Sequence, residues 1–298
     1  MKITITGSLG NISKPLTKAL VQKGHTVTVI SSKAEKQKDI EAMGAIAAIG
    51  TLEDVDFLKS AFIGADAVYT MVPPNNFFDH NLDLVAYYQR IGNNYAQAIS
   101  QLSVKRVVHL SSIGAHLDKG TGIILAHHAV EGILNNLSGV AITFVRPSAF
   151  YYNLYAFIGG IKAMGKIASN YGAADKVIWV SPMDIAATIV EELITPTVGR
   201  KIRYVASDEL TCNEIASILG AAIGKPDLKW AVITDEQMQS VLEGIGMSKQ
   251  IAAGLVSMNE SMHNGSLFGD YYLHKPDVLG QVKLKDFAKE FAAAFNQK

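Results

Sequence analysis

Residues 2–14 constrain this chain more than any other stretch. Lys2-Ile3-Thr4-Ile5-Thr6 is a short apolar run that reads as a buried strand, and Gly7-Ser8-Leu9-Gly10-Asn11-Ile12-Ser13-Lys14 follows it directly. Leu16, Ala19, Leu20 and Val21 then supply the apolar face of a helix. A strand, a glycine turn and a helix in that order are the parts of a nucleotide-binding βαβ unit. Gly7 can turn the chain at positive φ, and Gly10 lets backbone N–H groups approach a pyrophosphate. The positive end of the helix dipole then faces that anion. The spacing is G-x-x-G-x-x-S, in which Ser13 is small enough for close helix–strand packing. An ordinary βα turn is the plainer alternative; a P-loop is argued against, because no G-K-[ST] closes the turn.

Thr26–Ile30 predicts a second strand, and Ser31-Ser32-Lys33 follow where a Rossmann fold meets the adenosine ribose. An NAD site usually places Asp or Glu there, but the first carboxylate is Glu35, already inside the next predicted helix. Two hydroxyls and an ammonium suit a 2′-phosphate, which favours NADP(H) over NAD(H). Alternatively, Lys33, Lys36 and Lys38 are the wet face of a helix. Further short strands are predicted at 45–49 (ending at Gly50-Thr51), 67–72 (stopped by Pro73-Pro74), 106–110 and 140–145. Helices are predicted from Glu53 through Phe62, from about Leu82 to Leu102, and through Val130, Ile133 and Leu134. This alternation predicts an α/β fold with a doubly wound parallel sheet that keeps its ligands beyond the strand C-termini.

From about Phe150 the rhythm changes. Tyr151, Tyr152, Tyr155 and Phe157 crowd a segment read as ending at Gly159-Gly160. Strands are predicted at 176–180 and 201–205, with a helix from Pro182 to Ile194 between them. Thr211-x-x-Glu214 is a capping box, residues 235–262 are helical, and a last helix covers 284–295. The expected division is a Rossmann domain over 1–150 and a smaller α+β lobe over 151–298, intimately packed on it. Lys and Arg total 27 against 27 Asp and Glu, which argues against a nucleic-acid scaffold. No apolar stretch nears the ~20 residues of a membrane span. A strand beginning at residue 2 leaves no room for a leader, and the single Cys212 fits a reducing compartment, so a cytoplasmic protein is expected.

The whole chain resembles the NmrA-like family of atypical short-chain dehydrogenases/reductases. The residues that carry this are Thr6 to Ile12, Gly64-Ala65-Asp66-Ala67-Val68, Val107 to Ser112, Glu131, Val145-Arg146-Pro147, Tyr152-Asn153, Pro182-x-Asp184-Ile185-Ala186 and Glu214-Ile215-Ala216. The resemblance implies NAD(P)(H) binding, and either hydride transfer, as in bacterial quinone reductases, or redox sensing with little turnover. It places the pyrophosphate on Gly7, Ser8, Leu9, Gly10, Asn11 and Ile12, and the adenosine end on Ser31, Ser32 and Lys33, with Thr51 nearby. It sets Met71, Val72 and Pro73 beside the cofactor, and Ser111, Pro147, Ser148 and Phe150 toward the nicotinamide.

Short-chain dehydrogenases commonly use Tyr-x-x-x-Lys, in which lysine lowers the tyrosine pKa. The one match, Tyr271-x-x-x-Lys275, lies near the C-terminus and is read as chance. On the helix after Ser111-Ser112, the lysine's place four residues before Glu131 is taken by His127, and Ile123-Ile124 stand where the tyrosine belongs. His127 is therefore the candidate for bonding the nicotinamide ribose or giving a proton; alternatively one of His127 and His128 packs while the other faces solvent. Neighbours on a helix diverge by about 100°, so the two are a poor chelating pair and no metal is expected. Tyr151, Tyr152 and Asn153 are candidates for the substrate wall, with aromatic core between the lobes as the alternative. The expected function is an NADPH-dependent oxidoreductase for a small quinone-like or conjugated carbonyl substrate. The other reading is an NADP(H)-ratio sensor that regulates a protein partner.

Overall fold

The computed structural model describes residues 1–297. The strand and turn at the N-terminus open a Rossmann sheet. β1 (Lys2–Ile5) leads through the glycine turn into α1 (Ser13–Gln22) and β2 (Thr26–Ser31). α2 (Gln37–Ala42), β3 (Ile46–Ile49), α3 (Val55–Phe62), β4 (Ala67–Thr70), α4 (Leu84–Ser100), β5 (Arg106–Leu110), α5 (Leu125–Asn135) and β6 (Ala141–Pro147) continue the alternation. α3 and α4 start where a side chain bonds their free N–H groups. The Asp54 carboxylate accepts from Asp56 and Phe57 at the head of α3, and the Asp83 carboxylate from Ala86 at the head of α4.

Beyond β6 come β7 (Ala149–Phe150), a 3-10 stretch over Tyr151–Phe157, α6 (Ile158–Met164), β8 (Ile167–Ser169) and β9 (Lys176–Val180). α7 (Pro182–Ile194), β10 (Arg200–Val205), β11 (Asp208–Thr211), α8 (Cys212–Ala222) and β12 (Trp230–Val232) follow. α9 (Asp235–Gly244), α10 (Lys249–His263), α11 (Gly269–His274) and α12 (Leu284–Asn296) complete the chain. α6 runs through Gly159 and Gly160 to Met164, so these glycines do not end the aromatic segment.

The large sheet has the order β10-β6-β5-β4-β1-β2-β3, and every pairing in it is parallel. The chain reverses direction across the sheet between β1 and β4, where Ile5 pairs with both Val29 and Tyr69. Such a switch point is where doubly wound sheets hold ligands. One face packs Leu16 and Leu20 of α1 and Ile185 and Ile189 of α7; the other packs Tyr95 and Ile99 of α4 and Val130 and Leu134 of α5.

The boundary expected at residue 150 is crossed. β10 pairs with β6 from Arg200↔Ile142 to Val205↔Pro147, and α7 covers the sheet beside α1, so both elements belong to the first unit. The remaining lobe packs its own core of Trp179, Tyr151, Tyr271, Leu219 and Phe291. α10 is anchored against the loop before α5 by glycines on both sides. A Cβ on Gly122 would meet the Gly254 carbonyl oxygen at 1.8 Å, so only glycine permits this approach.

Candidate functional site

The C-terminal edge of the large sheet gathers most of the sequence-predicted residues. Gly7 (φ +87°) and Ser8 (φ +53°) are both left-handed, which folds the chain back under the helix. A Cβ on Gly7 would lie 2.6 Å from Ser13 Oγ and 3.3 Å from Met71 Sδ, so the turn is a tight cradle between α1 and the end of β4. Ser13 packs the helix to the strand by donating to the Thr6 carbonyl at 2.9 Å. α1 has no side-chain N-cap and no acidic residue in its first turn, and the N–H groups of Asn11 and Ile12 find no acceptor among the described residues. Free N–H groups at an unopposed positive helix end suit a pyrophosphate. Leu9 and Ile12 pack into the core beneath.

At the adenosine end, the three residues divide. Ser31 is buried and accepts from Ser8 Oγ at 2.9 Å and from the Lys33 N–H at 3.2 Å, so its hydroxyl holds the turn together. Ser32 and Lys33 are exposed, and the Lys33 ammonium forms no ion pair among the described residues, whereas Lys36 is paired with Asp39. Thr51 is exposed and accepts from the Glu53 N–H at 3.2 Å. On β4's exit, Met71 donates its N–H to Thr6 Oγ1 and accepts from Tyr95 Oη at 2.7 Å. Val72 is buried, and Pro73 is half-buried beside it.

Across the edge, Ser111 and Ile113 bond the backbone of Val145 and Pro147, which ties the ends of β5 and β6. The Ser111 hydroxyl is not free: it donates to Glu131 at 2.5 Å. Glu131 and Arg146 form a buried two-point pair (2.9 and 2.6 Å), and Arg146 reaches on to Tyr204 and Asp270. Burial works against the Arg146 charge, but the Glu131 carboxylate more than offsets this and raises the guanidinium pKa. Ser148 Oγ is buried with no partner, and Phe150 lies against Tyr152 with ring centroids 5.0 Å apart.

Tyr151 is corrected as a wall residue. It is 1 % exposed, stacks on Phe287, and donates to Asp208 at 2.6 Å, which makes it core of the small lobe. Its neighbour Tyr152 is half-buried, packed on the rim of the same core and against Phe150, and burial pushes its hydroxyl up to about 12. Asn153 is exposed. Tyr271 and Lys275 both bond Glu209 of β11, at 2.9 and 3.1 Å, so this Tyr-x-x-x-Lys match is an ion-pair cluster of the lobe.

The histidine pair also separates. His128 Nδ1 bonds the Ala115 carbonyl at 2.9 Å and holds the loop before α5. His127 faces α4, where its ring meets Tyr88 edge-on at 5.0 Å. Burial holds its imidazole down to about 4. His109 of β5, bonded to Thr70 at 2.9 Å, is held down to about 3, first by burial and then by His127. Both are neutral near pH 7. Protons bind these imidazoles more readily in the unfolded chain, so stability is complete above pH 6.5 and declines as pH falls toward 4. Melting temperatures measured across that interval are expected to fall with pH, and His127→Gln to fall less steeply. Identical slopes in the two proteins would show that His127 titrates normally.

Tyr88 was not anticipated from sequence. Its signal was available: Tyr88 and Tyr95 are seven residues apart, hence on one face of the predicted helix.

The description "NmrA-like family" is that of a family model matching residues 1–285. The chain is similar to an NAD(P)H azoreductase of Xenophilus azovorans, at 28% identity over 98% of this chain and 99% of that one. In structure it is similar to an NADPH-dependent quinone oxidoreductase of Escherichia coli complexed with NADPH, with TM-score 0.79 and 19% identity over 97% of this chain and 99% of that chain. It is likewise similar to a Citrobacter sp. triphenylmethane reductase complexed with NADP(H), with TM-score 0.77 and 18% identity over 97% and 99%. No helix among the described residues is long and apolar enough to cross a membrane.

Proposed function

The chain belongs to the NmrA-like family, and from that membership we propose that it is an NADPH-dependent reductase of flat conjugated acceptors, quinone-like or azo. The observation that carries this reading is the cradle at Gly7, whose missing Cβ, uncapped helix and free N–H groups fit a pyrophosphate. The names of the similar proteins support the chemistry.

In this reading the backbone of Gly7 to Ile12 binds the pyrophosphate, Ser8 and Ser31 lock the turn, and Ser32 with Lys33 meets the 2′-phosphate. Met71 to Pro73 flank the nicotinamide half from β4, and Pro147 to Phe150 close the other side. When bound, the dihydronicotinamide supplies a hydride to the acceptor. α5 offers no Tyr–Lys pair, and the neutral His127 is a poor acid at pH 7. Acceptors that need no strong acid therefore suit the site: the oxygens of a reduced quinone can take protons from water.

The test is a titration with NADPH and NADH followed by nicotinamide fluorescence, with Lys33→Glu alongside, then turnover on quinones, azo dyes and enones. A hydrogen bond to a charged group is worth about 1.5–3 kcal/mol, so Lys33→Glu is expected to weaken NADPH at least roughly tenfold and leave NADH unchanged. Equal loss for both nucleotides would remove the 2′-phosphate assignment. Tight NADPH binding with no oxidation across the panel would overturn the reductase reading in favour of the sensor.

A further inference from the structure

α4 places one phenol where α5 lacks one. Tyr95 of α4 donates to the Met71 carbonyl at 2.7 Å, which fixes this helix face against the end of β4. Tyr88 is seven residues earlier on the same face, about 10 Å nearer the helix N-terminus, and so stands beyond the strand end. His127, third residue of α5, is at the same level after β5. The two rings meet edge to face, with centroids 5.0 Å apart and planes at 71°, which holds the Tyr88 ring in place. The Tyr88 ring is buried at 9 % exposure, yet its hydroxyl finds no hydrogen-bond partner among the described residues and is not one of the sealed unpartnered oxygens. A buried tyrosine usually bonds its hydroxyl. This one is reached by solvent instead, from a residue that stands beyond the strand end, at the edge where a doubly wound fold receives its ligand.

We propose that Tyr88 touches the acceptor and donates a hydrogen bond to the oxygen or nitrogen on which negative charge develops during reduction. This rests on the reductase reading above. A quinone that accepts hydride from a dihydronicotinamide becomes a hydroquinone monoanion while the nicotinamide is oxidised; a proton from water then completes the hydroquinone. An azo group likewise takes hydride on one nitrogen and a proton on the other, giving the hydrazo compound. A fixed donor aimed at the developing charge favours that step. A cationic triphenylmethane dye differs: hydride adds to its central carbon, the positive charge is cancelled, and no proton is needed. Tyr88 has nothing to stabilise there. Burial holds the phenol up to about 12, so it donates across the whole working pH range.

The experiment compares wild type, Tyr88→Phe and, against misfolding of the first variant, Tyr88→Leu. Three readouts are taken: NADPH affinity by fluorescence, steady-state reduction of a quinone and a cationic triphenylmethane dye, and hydroquinone binding by calorimetry. The expected result is a loss of about 10- to 100-fold in kcat/KM for the quinone. Dye reduction should fall several-fold less than quinone reduction, NADPH affinity should stay within about twofold, and hydroquinone binding should weaken. Equal loss on both acceptors would make Tyr88 a structural residue and overturn the proposal. Unchanged quinone reduction by Tyr88→Phe would overturn it while leaving the reductase reading intact. A wild type that binds NADPH but reduces neither acceptor would overturn both.

Discussion

Gly7→Ala is expected to lower NADPH affinity by about 100-fold or more while leaving most of the fold in place. Two costs combine. At φ +87° an L side chain is in a strained region, worth roughly 1–2 kcal/mol. The new Cβ would also lie 2.6 Å from Ser13 Oγ, an atom already tied to the Thr6 carbonyl. Ser13 begins α1, so relieving the clash tilts the helix start and moves the N–H groups of Asn11 and Ile12 off their common focus. Gly24 is the natural control. Its φ is +80°, but a Cβ there meets nothing within 4 Å. Gly24→Ala should share the backbone strain and keep the affinity. Matched NADPH titrations and urea unfolding of the two variants separate the effects, and equal affinities would mean that the turn does not hold the nucleotide.

The largest stability effect is expected at Glu131. Glu131→Ala leaves Arg146, 6 % exposed at its side chain, with the more distant Asp270 as its remaining carboxylate. Removing one partner of a buried pair typically costs about 3–5 kcal/mol, mostly because the surviving charge is stranded. Ser111 loses its acceptor as well. The pair itself need not be stabilising against an apolar replacement. Glu131→Leu combined with Arg146→Met should therefore recover much of the loss. Urea midpoints of Glu131→Ala and of the double variant test this. A single-variant cost below about 1 kcal/mol would show that water reaches the guanidinium.

Much of the nucleotide half was legible because its signals are local. An apolar run, a glycine turn and a helical period are written within about twenty residues of chain. The capping box at Thr211 and Glu214 forms in the structure with both of its bonds. What could not be read depends on partners far away in sequence. Lys201 to Val205 reads as a strand of the second lobe, yet its hydrogen-bond partner is β6, 58 residues earlier by pairing. Tyr151 and Tyr152 are neighbours of like chemistry, and only the positions of Asp208 and Phe287 decide which of them is fully buried in the lobe. His127 and His128 pose the same problem, settled by Ala115 on one side and Tyr88 on the other. Ser31 and Ser111 have the residue type of ligand contacts, but each hydroxyl is already occupied by a neighbour.

The return of β10 to the first sheet dictates where this chain tolerates being cut. A fragment ending at residue 150 would leave the β10-facing backbone edge of β6 unpaired from Ile142 to Pro147. Such a bare row of N–H and C=O groups invites pairing with other chains. Chimaeras that exchange the small lobe between relatives must therefore treat it as two grafts, one between β6 and α7 and one after Val205. The sheet itself has to come from a single parent.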